Sequence, residues 1–426
     1  MTMWKKFLYL FGIPFVLFGV VGEARAACDQ TLSTGANIAS AVSSAAAGST
    51  ICLNSGSYGT ISLSGINKSS DVTIMSTSGK TATIAFNFGN LNHIKFQNLT
   101  ITRMENGGGS SNTSIVNNVF TGQLKLVGIG SNVLVDGNTF DGISVGPNDS
   151  EGRVQLYDVA GLTLSNNHFG SAGESDGIQA GGHGGMIGPG NVFVGIIQGT
   201  YGRHVDSIQL YGEVNGYSIV GNYFSDDTIY LGVYDGGANL VVKNNIFDKD
   251  HQGGSTLQLG GINGMLFEHN TFNRTSGGAG TKFANTPNTN WIVQNNIFNA
   301  ASWTAGGDQP GCGTNCIMRY NLKSNGGSSD PVGTNNITAN AIFTGTGSIA
   351  AWTNWKLAIG SPGKDAGNDG FDMGVLYYGP GSVTPDTTPP TAPTNLAANV
   401  TLGAQVDLTW TASVDAVGVA LYQVER

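Results

Sequence analysis

The sequence predicts an all-β solenoid in which parallel strands stack coil upon coil. Two observations carry the prediction. A short Asn-rich turn closed by Phe recurs as Asn117-Asn118-Val119-Phe120, Gly137-Asn138-Thr139-Phe140, Asn166-Asn167-His168-Phe169, Gly190-Asn191-Val192-Phe193, Gly221-Asn222-Tyr223-Phe224, Asn244-Asn245-Ile246-Phe247, His269-Asn270-Thr271-Phe272 and Asn295-Asn296-Ile297-Phe298. Successive second asparagines lie 20, 29, 24, 31, 23, 25 and 26 residues apart, a period that marks stacked repeats. The segments between are short and β-branched, such as Val133-Leu134-Val135 and Leu240-Val241-Val242, with no helix-length amphipathic stretch. Each strand must then pair in parallel with its counterpart one repeat away. Asn at one turn forms a hydrogen-bonded ladder, and Phe stacks inside.

Composition agrees. The chain has 426 residues, 65 of them Gly, and only 11% are charged. That favours strands and tight turns over helices. A compact single domain rarely reaches this length, whereas a solenoid grows by adding rungs. The net charge of -9 argues against a general nucleic-acid binder, and the chain carries no basic run or phosphate-cradling Gly-rich loop.

In chain order, residues 1–26 form a secretory signal: Lys5-Lys6, an apolar run from Phe7 to Val21, and the cleavage pattern Ala24-Arg25-Ala26. The mature, secreted chain begins near Ala27. Arg25 stands where a lipoprotein signal wants an aliphatic residue, so Cys28 is not expected to be lipidated. No later stretch is long and apolar enough to insert in a membrane. In an exported chain, four cysteines imply disulfides, with Cys28–Cys52 and Cys312–Cys316 paired by proximity. Residues 36–46 form one helix, with Ile38, Ala41, Val42 and Ala45 on one face, suited to cap the first coil. Strands then run from Thr50 to about Phe343.

The chain resembles the right-handed parallel β-helix, or pectate-lyase-like, proteins of bacterial polysaccharide metabolism. The Asn-x-Phe repeats carry the resemblance over residues 36–380. Ser361-Pro362-Gly363-Lys364-Asp365-Ala366-Gly367 and Asp372-Met373-Gly374 are similar to the segment that often ends such domains. The expected architecture is thus a β-helix catalytic domain over 27–380, a Pro/Thr-rich linker over 381–393 and a partial module over 394–426. That last piece resembles the start of a fibronectin type III sandwich, through Asp386 to Pro393, Val406-Asp407-Leu408-Thr409-Trp410 and Tyr422-Gln423-Val424. About three of its roughly seven strands fit.

The strand after each turn points alternate residues outward. Aligned on their centres, these strands present Gln155, Gln179, Gln209, Tyr230, Gln258 and Lys282 down one face. Tyr157 and Tyr211 follow two residues later. Rungs are about 4.8 Å apart, so the stripe suits an extended glycan. Three residues before the centre stand Asp176, Asp206 and Asp227. Stacked carboxylates repel one another and want a cation, a proton or a sugar. His204 lies close by in Arg203-His204-Val205-Asp206. His183 is expected in a loop near the stripe, and Glu268, His269 and His93 in structural positions.

The resemblance implies a polysaccharide lyase acting by β-elimination on a uronic-acid-containing chain. By that resemblance Asp176, Asp206 and Asp227 are expected to hold Ca²⁺. Proton transfer falls to His204, Asp206, Tyr211, Tyr230 or Lys282. Arg153 and Arg203 grip the substrate carboxylate, while Gln155, Tyr157, Gln179, Gln209 and Gln258 bind sugar. A glycoside hydrolase using paired Asp residues, a C5-epimerase and a non-catalytic glycan-binding solenoid are the alternatives. The polysaccharide is the expected partner, with no nucleic acid, and the protein is expected to be a monomer. The acidic net charge opposes an anionic substrate unless bound Ca²⁺ or local Arg and Lys reverse the field.

Overall fold

A computed structural model describes residues 27–144, 152–170, 174–198, 205–250, 257–273, 282–283, 288–299, 314–324, 334–345, 352–376, 391–401, 405–411 and 413. The signal segment, the 381–390 part of the linker, Arg203 and His204 lie outside them.

Three short strands make one coil. Gly152–Tyr157, Leu162–Ser165 and His168–Phe169 form one such turn. Each pairs in parallel with its counterpart in the next coil, Asp176–His183, Met186–Ile187 and Val192–Val194. This repeats along the chain and produces the parallel β-helix.

The Asn-rich turn sets the corner between two faces. The residue before each repeating Asn has a left-handed backbone, with φ of 53° at Asn117, 65° at Gly137, 53° at Asn166 and 67° at Gly221. Only Gly, Asn and a few others adopt this region at low cost. The second Asn turns inward and is buried. The Nδ2 of Asn118, Asn138, Asn167, Asn191, Asn222, Asn245, Asn270 and Asn296 each donates to Oδ1 of the next ladder Asn at 2.9–3.1 Å. The ladder runs two rungs past the last Phe turn, through Asn321 to Asn336. Each amide thus satisfies itself where water cannot reach, the condition for burying a polar group without penalty.

Beside the ladder, Phe120, Phe140, Phe169, Phe193, Phe224, Phe247, Phe272 and Phe298 form a column with centroids 4.5–5.2 Å apart. Inward Ile, Leu and Val from the other two faces complete the core.

The N-terminal end is capped, and the C-terminal segment packs along the flank of the last coils. The expected N-terminal helix spans Ile38–Ser44 and buries Ile38, Ala41 and Val42 in that core. Asn37 caps it by accepting from the Ser40 amide at 3.0 Å. Cys28 and Cys52 form the expected disulfide. Cys316 is also disulfide-bonded, and its expected partner Cys312 lies outside the described residues. At the far end, the segment around Gly363–Gly374 folds back on the last coils. The Gly374 amide donates to Asn295 O at 2.7 Å, and Val375 donates to Thr271 Oγ1 at 2.9 Å. Thr394–Thr401 and Gln405–Thr411 form an antiparallel pair. The third strand expected of a fibronectin-like module, at residues 422–424, lies outside the described residues. No helix among the described residues is long and apolar enough to cross a membrane.

Candidate functional site

One face carries an in-register line of outward parity, in which Gln209 is only 9% exposed and Gly232 offers no side chain. Cα register joins Asn87 to Glu105, Glu105 to Lys125, Lys125 to Gln155, Gln155 to Gln179 and Gln179 to Gln209. It continues from Gln209 to Gly232, from Gly232 to Gln258 and from Gln258 to Lys282. Sequence alignment found the glutamines and the Lys282 position; the Lys282 side chain is outside the described residues. Gln179 Nε2 donates to Gln209 Oε1 at 3.1 Å, tying two rungs together.

Tyr230 does not belong to this line. Gly232, not Tyr230, sits opposite Gln209. Tyr230 is 1% exposed, its ring lies among Phe224 and Phe247, and its hydroxyl donates to Asp248 O at 3.1 Å. It is a core residue. The two-residue slip arises because Ile229, Leu231 and Val233 alternate equally well in either register.

The slip concealed Tyr234. A Cβ at Gly232 would lie 2.6 Å from the Tyr234 ring, so that ring lies across the glycine and fills the gap in the glutamine line. Its hydroxyl reaches both oxygens of Asp206 at 3.2 Å.

The parallel line two residues on holds the aromatic platform. Gly181 pairs with Tyr157 on one side and Tyr211 on the other. A Cβ at Gly181 would lie 2.9 Å from Tyr157 Cδ2 and 3.0 Å from Tyr211 Cζ, so both rings lean over the bare glycine. Tyr157 is 42% exposed. Burial pushes the Tyr211 hydroxyl up from its ordinary pKa, opposed by a hydrogen bond with Gln155 and reinforced by Tyr157.

Past the platform, His183 ends the strand Asp176–His183. It is exposed, and Asp158 Oδ1 takes its backbone N–H at 2.9 Å and its Nδ1 at 3.1 Å. These bonds hold the Asp158 carboxyl below its usual range. Nδ1 donates to the carboxylate, so Nε2 is the acceptor whenever the ring is neutral. Gly182 makes the turn possible, with φ 64° and a Cβ position 2.4 Å from Asp158 Oδ1.

The acidic residues behave differently from expectation. Asp176, Asp206 and Asp227 are 0%, 0% and 1% exposed. Asp206 N–H donates to Asp176 Oδ1 at 2.8 Å. Asp227 accepts from Ile196 N–H and Ser207 Oγ, both at 2.7 Å. Burial pushes the Asp227 carboxyl up to about 7, against those two bonds and the Arg153 charge. Asp227 ends the strand Tyr223–Asp227 on the phenylalanine face, so it is not in line with the other two. The three carboxylates do not converge as a calcium cage. Among the described residues the one set of three groups close enough for a cation is Glu268, His269 and Asp369. Those residues are already bound to protein partners, Lys243 and Gln294 on Glu268, and Gly374 O on His269.

Arg153 is likewise not a substrate clamp. It shares the outward parity of Gln155 but is 0% exposed, because corner turns cover it. Its Nη1 donates to Phe140 O and to Gly170 O, at 3.0 and 2.5 Å. Burial lowers its pKa to about 10, with Asp141, Asp227 and Asp176 opposing. Asp206 is therefore an interior residue rather than a solvent-facing catalyst. Arg203 and His204 lie outside the described residues.

No family model and no curated protein matches the chain. Among solved structures, it is similar to the polysaccharide lyase family 6 alginate lyase AlyGC, at 14% identity and TM-score 0.44 over 85% of this chain. It covers only 60% of that lyase. It is also similar to PfbA, a surface adhesin of Streptococcus pneumoniae, at 14% identity and TM-score 0.41, over 71% of this chain and 86% of that one. A third is an α-1,3-glucanase from Streptomyces thermodiastaticus, at 11% identity and TM-score 0.33, over 75% and 69% of the two chains.

Proposed function

We propose that the protein is an exported enzyme that cleaves a uronate-containing polysaccharide by β-elimination. The observation that carries this reading is the in-register outward line through Gln155, Gln179, Gln209 and Gln258 beside the Tyr157–Tyr211 platform. Its pitch of about 4.8 Å per rung approximates the advance of one sugar residue. Amides bind sugar hydroxyls, and aromatic faces cover the apolar side of a pyranose.

Elimination breaks the C5–H and C4–O bonds and forms a C4–C5 double bond. The C5 proton passes to a base, and the leaving oxygen takes a proton from an acid. Tyr211, whose burial keeps its proton on at neutral pH, suits the acid. His183, oriented by Asp158 with Nε2 as acceptor, suits the base. Arg203 remains the expected partner of the substrate carboxylate. The paired-Asp hydrolase loses its footing, since Asp206 and Asp227 are buried. That same burial favours one second reading, glycan binding without cleavage.

The test is incubation with polyuronates, glycosaminoglycans and neutral glycans, with added Ca²⁺ or with EDTA. Ultraviolet absorbance from an unsaturated uronide, lost in His183→Ala and Tyr211→Phe, supports the lyase. New reducing ends without that absorbance mark a hydrolase. Retention of glycan with neither product marks a binder.

A further inference from the structure

Towards the N-terminal end, the outward line enters charged ground. Lys125 pairs with Gln155 on one side and Glu105 on the other, and Glu105 pairs with Asn87. On the neighbouring line the outward positions at the Asn87 and Glu105 coils are glycines, Gly89 and Gly107. Gly107, with no side chain, lines an open cleft of about 420 Å³ together with Asn87, Phe88, Glu105, Asn106, Lys125 and Val127. Val127 pairs in register with Tyr157, so the cleft opens directly onto the aromatic platform.

The charges in the cleft are not balanced. Glu105 Oε1 is taken by Nε and Nη2 of Arg103, at 3.0 and 2.5 Å. Lys125 makes no ion pair among the described residues. On a chain of net charge -9, this leaves one positive charge in excess at a concave site. A partly buried ammonium on a cleft wall attracts an anion more strongly than one in open solvent.

We infer that this cleft is a subsite for a carboxylate-bearing sugar. Lys125 meets the carboxylate, Asn87 and Glu105 take hydroxyls, and Val127 with Tyr157 covers a ring face. The inference rests on the polysaccharide reading above and deepens it, because it fixes the charge of the sugar two rungs from Gln179.

Affinity electrophoresis tests it, in gels containing a polyuronate, a sulfated glycan or a neutral glycan. Lys125→Ala and Lys125→Gln are expected to weaken retardation by the polyuronate about tenfold or more. Retardation by the neutral glycan should be unchanged, and Lys125→Arg should keep most of the binding. Unchanged melting temperatures confirm that the variants fold. The inference is overturned if Lys125→Ala binds polyuronate like the wild type, if it loses neutral glycan equally, or if no polyuronate retards the wild type. Equal loss on the sulfated gel would overturn the carboxylate assignment in favour of any anion. The cleavage reading fails separately: retardation that depends on Lys125 without an unsaturated product sinks the lyase and leaves the subsite standing.

Discussion

The Tyr234 hydroxyl lies 3.2 Å from both carboxylate oxygens of Asp206, which is fully buried. A carboxylate in that setting depends on its donors. Burial and Asp206 together push the tyrosine pKa up, so its proton stays on. Tyr234→Phe removes the donor and leaves the carboxylate under-satisfied. The expected loss is about 1–3 kcal/mol, read by denaturant unfolding. An unchanged midpoint would show that Asp206 is not anchored by this contact.

Gly181 keeps the two platform rings together. Gly181→Ala places a methyl 2.9 Å from Tyr157 Cδ2 and 3.0 Å from Tyr211 Cζ. The rings can splay outward, so the fold should persist while the platform is disturbed. Glycan affinity should fall about tenfold, with the change in unfolding free energy below about 1 kcal/mol. Equal affinity would remove the platform from the binding surface.

Asp227 makes stability depend on pH. Its carboxyl rises from 3.8 to about 7 in the folded chain, chiefly through burial. The folded state therefore holds this proton more tightly than the unfolded state. Stability from this group is full below about pH 4, falls between about pH 4 and 7, and levels off above, a difference of roughly 4 kcal/mol. Asp227→Asn should flatten that slope in urea titrations at several pH values. A slope as steep as the wild type's would assign the dependence to another group.

The asparagine ladder demands a donor at every rung. Asn222 Nδ2 donates to Ile187 O at 2.9 Å and to Asn245 Oδ1 at 3.0 Å. Asn222→Asp replaces both donations with oxygen facing oxygen. The expected cost is about 3–5 kcal/mol, detectable as a lower unfolding midpoint or loss of soluble protein. Asn336→Asp should cost less, because among the described residues no ladder rung follows it.

The solenoid was legible because its code is local and repeated: a left-handed corner, an inward Asn, a stacked Phe. Gln155, Gln179 and Gln209 followed from strand alternation within well-marked coils. Tyr230 and Tyr234 did not, because alternation fixes parity and leaves the pairing offset open, and only the neighbouring coil resolves it. Arg153 has the right parity for the outer face. Its burial comes from turns at Phe140 and Gly170, which strand periodicity does not describe. The three Asp residues looked alike in sequence, yet Asp227 stands on a different face from Asp176 and Asp206. Lys125 and Glu105 stand one and two coils before Gln155, where no glutamine marks the outward line.

The corner hydrogen bonds repeat with nearly constant geometry although the intervening segments vary from 20 to 31 residues. The interior therefore does not register how long each excursion is. New length can be spliced into any coil, and outward letters exchanged singly, while the scaffold keeps its pitch. Specificity in such a molecule can be edited one storey at a time.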